Sequence, residues 1–155
     1  MCIRDRALPT IALINNAGAA HLEGLGSIEA VADAKAEIFQ GLSEDGIAII
    51  NNDDRFSVDW LAQTKHFKQL TFALDSKADV TASYQSSGDE LIISVRHEGD
   101  SFDVVVNALG EHNVRNSLAA ITVSLAAGIS IEKIQSGLST YRPVTGRLNL
   151  SLIHI

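Results

Sequence analysis

Two short apolar runs, each stopping at an amide-rich loop, constrain this chain most. Thr10-Ile11-Ala12-Leu13-Ile14-Asn15 and Gly46-Ile47-Ala48-Ile49-Ile50 are apolar at every interior position, without the polar alternation of a half-exposed strand. Runs of this length and kind are strands buried on both faces. The first ends in Asn15, Asn16 and Gly18, the second in Asn51, Asn52, Asp53 and Asp54. Burial on both faces requires covering helices, and the intervening pattern supplies them. Ser27 is a cap for a helix over 27–42 that closes near Gly41, a short helix spans 58–66, and a third strand spans 69–74.

From Ala78 to Asn107 the period changes to two. Val80, Ala82 and Tyr84 share a face, and Leu91, Ile93 and Val95 pair with Phe102, Val104 and Val106 across a turn at His97-Glu98-Gly99-Asp100. Two helices close the pattern. One spans 113–127 with Val114, Leu118, Ile121 and Leu125 on a single stripe; the other is capped by Ser130, with Glu132 and Ile134 behind it and Leu138 near its end. The expected fold class is an α/β sheet with an antiparallel β appendage.

Composition narrows the function classes. Of 155 residues, 46% are hydrophobic and 20% charged, the balance of a globular core with a wetted surface. A net charge of −7 argues against a general nucleic-acid binder. Cys2, the single cysteine, excludes an intrachain disulfide and a cysteine-based zinc site. The longest nearly apolar stretch, 118–131, carries Thr122, Ser124 and Ser130 and falls short of a membrane span. A reducing, cytoplasmic setting is the expectation. Residues 1–6 and 150–155 fit no element and are expected to be non-native tails.

Local rules break at Lys35, at the loop after the first strand, and at residues 109–116. Lys35 lies four residues after Val31 and three before Ile38, on the apolar stripe of its helix. Either its stem snorkels its head to water, or its amine is neutralised or chemically converted, because an unpaired buried ammonium is costly. The loop carries small residues and one imidazole, His21, at the carboxyl end of a buried strand, where open α/β sheets bind ligands. His21 is either solvated or a ligand. Gly24 and Gly26 lack the third glycine of a dinucleotide fingerprint, since position 29 is Glu29. In Leu109-Gly110-Glu111-His112-Asn113-Val114-Arg115-Asn116 the two asparagines are three apart, on one helix face. Capping accounts for one of them; two carboxamides side by side also suit the edge of a purine.

These segments together resemble the Mur ligases, ATP-dependent amide ligases of peptidoglycan precursor synthesis. The resemblance rests on Asn15 to Ser27 (with His21-Leu22-Glu23-Gly24-Leu25-Gly26), Ala34-Lys35-Ala36-Glu37-Ile38-Phe39, Gly46 to Asn51 with Asp53-Asp54, Leu109-Gly110-x-His112-Asn113-x-x-Asn116-x-Leu118-Ala119-Ala120, and Val144-x-Gly146-Arg147-Leu148. The wording is most similar to the members that add D-Ala-D-Ala to UDP-N-acetylmuramoyl-tripeptide; siblings usually carry an Asp where this chain has Ala20.

The resemblance implies ATP and Mg²⁺ as cofactors and the following roles. His21 matches a magnesium ligand, and Lys35 a lysine that is carbamylated into a second ligand for the same metal. Asn113 and Asn116 match the pair that holds adenine, with His112 and Gly110 shaping the turn, and Asn16 lines the metal and phosphate pocket. Arg147 resembles the arginine that reaches the phosphates. It further implies that 7–142 is the distal part of a central, P-loop NTPase-like domain and that 143–149 begins the link to a C-terminal domain. No G-x-x-x-x-G-K-[ST] motif occurs, so the phosphate cradle is expected outside this segment. Thr145 replaces the expected proline and Ala36 the glycine often found after the lysine. The implied whole enzyme is monomeric, and the segment alone is expected to be inactive. A stand-alone nucleotide- or metal-binding module and a folylpolyglutamate synthetase-like ligase are the competing readings.

Overall fold

The computed structural model describes residues 8–18 and 26–142. Its strands form one sheet in chain order: β1 (Ile11–Ile14), β2 (Ile47–Asn51), β3 (Lys68–Ala73), β4 (Val80–Ser87), β5 (Glu90–His97) and β6 (Asp100–Val106). The pairs from β1 to β4 are parallel and those from β4 to β6 antiparallel, so the β appendage extends the same sheet. The described helices are α1 (Ile28–Ala36), α2 (Ser57–Gln63), α3 (Glu111–Ala126) and α4 (Ile131–Ser139), with a 3₁₀ turn at Glu37–Gly41. None of them is long and apolar enough to cross a membrane.

The uninterrupted apolar runs follow from a core on each side of the sheet. Ala12, Ile14, Ala48 and Ile50 pack with Ala32, Ala36, Phe39 and Trp60 of the α1–α2 layer. Ile49, with Ile11, Leu13 and Ile47 beside it, faces the other way toward Val114, Leu118 and Ile121 of α3. In β5 only every second residue needs cover. Leu91, Ile93 and Val95 are buried opposite Val106, Val104 and Phe102, in the expected pairing, while Arg96 is exposed. Glu98 (φ 52°) and Gly99 (φ 90°) form the two-residue turn between β5 and β6, both left-handed, as the twist of such a hairpin favours.

Helix boundaries move by a few residues from the sequence expectation. Ser27 caps α1, its hydroxyl accepting from the Ala30 amide at 3.1 Å, but the α-helix tightens into the 3₁₀ turn after Ala36. α2 ends sooner, where the buried Thr64 hydroxyl donates to the Trp60 carbonyl at 2.8 Å. α3 begins at Glu111, before Asn113, because Gly110 (φ 91°) occupies its cap position. Ser130 stands at the cap of α4 without a side-chain capping bond.

The β3–β4 connection, residues 74–79, has no helix, although parallel neighbours ordinarily need a dozen or more linking residues. The two strands pair only at Phe72–Val80 and Ala73–Thr81, the end of one and the start of the other, so the connection need not return along the length of β3. Asp79 holds one end by accepting from the Thr71 amide (2.8 Å) and hydroxyl (2.7 Å). Asp53 holds the other, accepting from the amides of Leu74 (2.7 Å) and Ser76 (2.8 Å).

Candidate functional site

The carboxyl ends of β1 and β2 and the first turns of α3 converge. The buried Asn51 carboxamide donates to the Asn15 carbonyl at 2.8 Å, and Asn15 donates from its own carboxamide to Asn116 Oδ1 at 2.9 Å. Asp54 fastens the same loop from below, one oxygen accepting from the Ala17 amide (2.8 Å) and the other from the Phe56 amide (2.9 Å). Beyond the last regular β1–β2 pair, Ile14–Ile50, side-chain hydrogen bonds thus tie the two strand ends to each other and to α3.

On one side of Asn15 opens a cavity of about 540 Å³ with Ile14, Asn16, Lys35 and Ile38 in its wall. Lys35 is half-buried, and its Nζ donates to the Asn16 carbonyl at 2.6 Å. Spacing placed Lys35 on the buried stripe; the buried residues of α1 are Val31, Ala32 and Ala36, and Lys35 stands at the edge of that stripe. Ile38, expected on the stripe, is 41% exposed because it faces the cavity.

A second, smaller cavity of about 180 Å³ lies between α3 and α4, walled by Asn113, Asn116, Ser117, Ala120, Leu138 and Tyr141. Its polar end is the asparagine pair and the rest is mostly apolar, which suits a flat ring with polar edge groups. Asn113 is no cap: its carboxamide nitrogen lies 2.7 Å from the Leu109 carbonyl, to which it donates, and 3.1 Å from His112 Nε2. Its Oδ1 is left to accept. Asn116 is oriented the other way, its Oδ1 taken by Asn15 and its nitrogen left to donate. Gly110 makes this possible, since a Cβ there would stand 2.8 Å from His112 Cε1.

Sequence reasoning gave Asp53 and Arg115 no role, yet they anchor α3. Arg115 donates to Asp53 Oδ2 (2.8 Å), Asp75 Oδ2 (2.6 Å) and Glu111 Oε1 (2.8 Å). Burial pushes the Asp53 carboxyl up, but hydrogen bonds from Leu74, Asp75 and Ser76 outweigh it and hold it below the usual carboxylate range. The Asp75 carboxylate, working against burial and helped by Glu111 and Asp53, holds the Arg115 proton more tightly than usual. The amides that Asp53 accepts from are 21–23 residues further along the chain, so no local pattern marked it. Arg115 had only its i,i+4 spacing from Glu111.

Of the residues singled out from sequence, Lys35 and Asn16 meet at the larger cavity and Asn113 and Asn116 at the smaller one, where His112 touches the Asn113 carboxamide without lining the cavity. His21 and Arg147 lie outside the described residues, as do the segments 1–6, 143–149 and 150–155. Among the described residues no group of three or more His, Cys, Asp or Glu side chains could hold a metal ion.

Known proteins share both the sequence and the fold. The chain is 40% identical over 144 residues to the UDP-N-acetylmuramoyl-tripeptide--D-alanyl-D-alanine ligase of Escherichia coli (strain K12), an alignment covering 90% of this chain and 31% of that protein. The Haemophilus influenzae enzyme of the same name is 34% identical over 140 residues, with 90% and 30% covered. A crystal structure of MurF from Acinetobacter baumannii superposes with a TM-score of 0.85 at 31% identity, covering 92% of this chain and 31% of that one. The chain therefore spans about a third of the length of the relatives it matches. The Mur ligase middle domain, as a family model, matches residues 3–124, a stretch that runs from before β1 well into α3. That match spans well over half of the chain, and the chain belongs to the Mur ligase family.

Proposed function

We propose that this chain is part of the ATP-binding domain of a cytoplasmic ligase that joins D-Ala-D-Ala to UDP-N-acetylmuramoyl-tripeptide. The observation that carries the reading is the pairing of an amide-edged slot with a lysine-bearing cavity, bridged by Asn15 and Asn116. The 40% identity to the E. coli enzyme supports this member of the family over others.

The residues present fit an adenine. Asn113 offers an acceptor and Asn116 a donor, which complement the amino group and a ring nitrogen of adenine, with the apolar wall beneath them for its face. When bound, ATP would supply the phosphoryl group that activates the tripeptide carboxylate as an acyl phosphate, from whose carbonyl carbon the amine of D-Ala-D-Ala displaces phosphate to give the amide. The chain's own contribution is to hold the base at one end of Asn15 and to keep charge-bearing groups at the other. His112 takes part by fixing the Asn113 carboxamide.

For Mg²⁺ the described residues offer part of a shell: the Asn16 carbonyl and Lys35, beside a cavity with room for a carbamate. Hard cations take oxygen ligands, so Lys35 would serve only once carbamylated. His21 and Arg147 complete the proposal as a second metal ligand and a phosphate contact. In the full-length ligase carrying this segment, Lys35→Ala should abolish ligation, and short carboxylic acids should partly restore it. Undiminished activity of that variant would overturn the role of Lys35.

A further inference from the structure

Arg115 sits between the two asparagines in sequence but not in space. At about 100° per residue it lies roughly 200° around α3 from Asn113, whereas Asn116, Ser117 and Ala120 fall close to Asn113's face. Its guanidinium therefore reaches away from the slot. There it gathers carboxylates from three places: Asp53 after β2, Asp75 in the β3–β4 connection and Glu111 in the first turn of α3. Tyr84 of β4 donates to the other oxygen of Glu111 at 3.3 Å.

The partners differ in weight. Asp75 and Glu111 side chains are 71% and 52% exposed, and such pairs contribute little alone. Asp53 is 9% exposed and is itself held by loop amides, so its bond to Arg115 has a fixed anchor. About 100° further around the helix the Asn15–Asn116 bond is the second tether. Two tethers on different sides set both the depth and the roll of the first turns of α3.

We infer that Arg115 is a positioning residue for nucleotide binding, holding Asn113 and Asn116 at the slot by clamping the far side of α3 to the loops after β2 and β3. It touches no nucleotide itself. A lysine in its place can meet one carboxylate but cannot fork between Asp53, Asp75 and Glu111. The inference rests on the slot being the ATP site.

The test uses the full-length ligase carrying this segment, with ATP as the probe. Arg115→Ala should raise the Kd and KM for ATP about tenfold, equivalent to about 1.4 kcal/mol, with kcat per folded enzyme within about twofold. Arg115→Lys should fall between Ala and wild type, and it covers the case in which the alanine variant folds poorly. Asn113→Ala is the control for the slot. If Asn113→Ala weakens ATP while both Arg115 variants bind it as wild type does, the clamp is refuted and the slot stands. If kcat falls in step with thermal stability and KM is unchanged, Arg115 is structural only and the inference fails. If Asn113→Ala and Arg115→Ala both leave ATP binding intact, the slot reading itself is wrong and the clamp falls with it.

Discussion

Asp53→Asn removes one charge and keeps the shape, which makes it the sharpest probe of how the site is held. In the folded chain Asp53 Oδ1 accepts from the Ser76 amide (2.8 Å), while Oδ2 accepts from the Leu74 amide (2.7 Å) and Arg115 (2.8 Å). A carboxamide has one oxygen, so whichever way it turns, its NH₂ meets a donor. If the oxygen stays with Leu74 and Arg115, the Ser76 amide is lost; the reverse orientation loses both others. Hydrogen bonds to charged groups contribute about 1.5–3 kcal/mol each. Arg115 is 28% exposed, so its share is discounted for solvent screening. The net expectation is a loss of about 2–4 kcal/mol, or roughly 5–15 °C in Tm for a domain of this size. The carboxyl's pKa is depressed on folding, so its contribution is complete above the unfolded value of about 3.9 and disappears as pH falls through the lower folded value. Thermal unfolding followed by circular dichroism should therefore show a wide gap between wild type and variant at pH 7. The gap should narrow below about pH 4. A gap of equal size at both ends would mean that shape rather than charge holds the loop, and the reasoning would be refuted.

Two further substitutions probe local geometry. Gly110→Ala places a Cβ 2.8 Å from His112 Cε1 at a φ of 91°, so it should cost about 1–3 kcal/mol in a urea titration and weaken ATP binding by the full-length ligase as His112 and Asn113 shift. An unchanged ATP affinity would show that the His112 ring does not set the Asn113 carboxamide. Ser27→Ala deletes the α1 cap and should cost about 1 kcal/mol by the same titration, the size of an ordinary capping bond; no loss would mean that the Ala30 amide finds another acceptor.

The fold was legible wherever burial follows a simple period. The runs at β1 and β2 are apolar throughout because Ala48 and Ile50 enter one core and Ile49 the other. β5 and β6 alternate because one face alone is buried, and their register could be read residue by residue. Helix ends were less legible. Gly110 takes the α3 cap through a left-handed φ, a backbone property that the asparagine-rich wording after it obscured. The candidate site was legible as residue types and not as contacts. Asn15 and Asn116 are 101 residues apart, and Asp53 and Arg115 are 62 apart, so no local pattern connects them.

Lys35 shows why spacing alone left two readings open. A lysine at the edge of a buried stripe can send its head to water at little cost. Here the stem is half-buried and the amine instead meets the Asn16 carbonyl, a neutral acceptor, at 2.6 Å. A carbonyl offsets part of the desolvation of an ammonium but does not neutralise it. Carbamylation would reverse the sign of the group, and the adjoining 540 Å³ cavity leaves room for a cation beside it. The same loop presents Asn15 to Asn116, so a cation held at Lys35 and a base held at α3 would share one backbone segment. Loosening that segment should therefore disturb both ends of a bound nucleotide at once, whereas loosening Arg115 should disturb the base end alone. Comparing Asn15→Ala with Arg115→Ala for Mg²⁺ dependence as well as ATP affinity separates the two, and an identical Mg²⁺ response in both variants would contradict this division of the site.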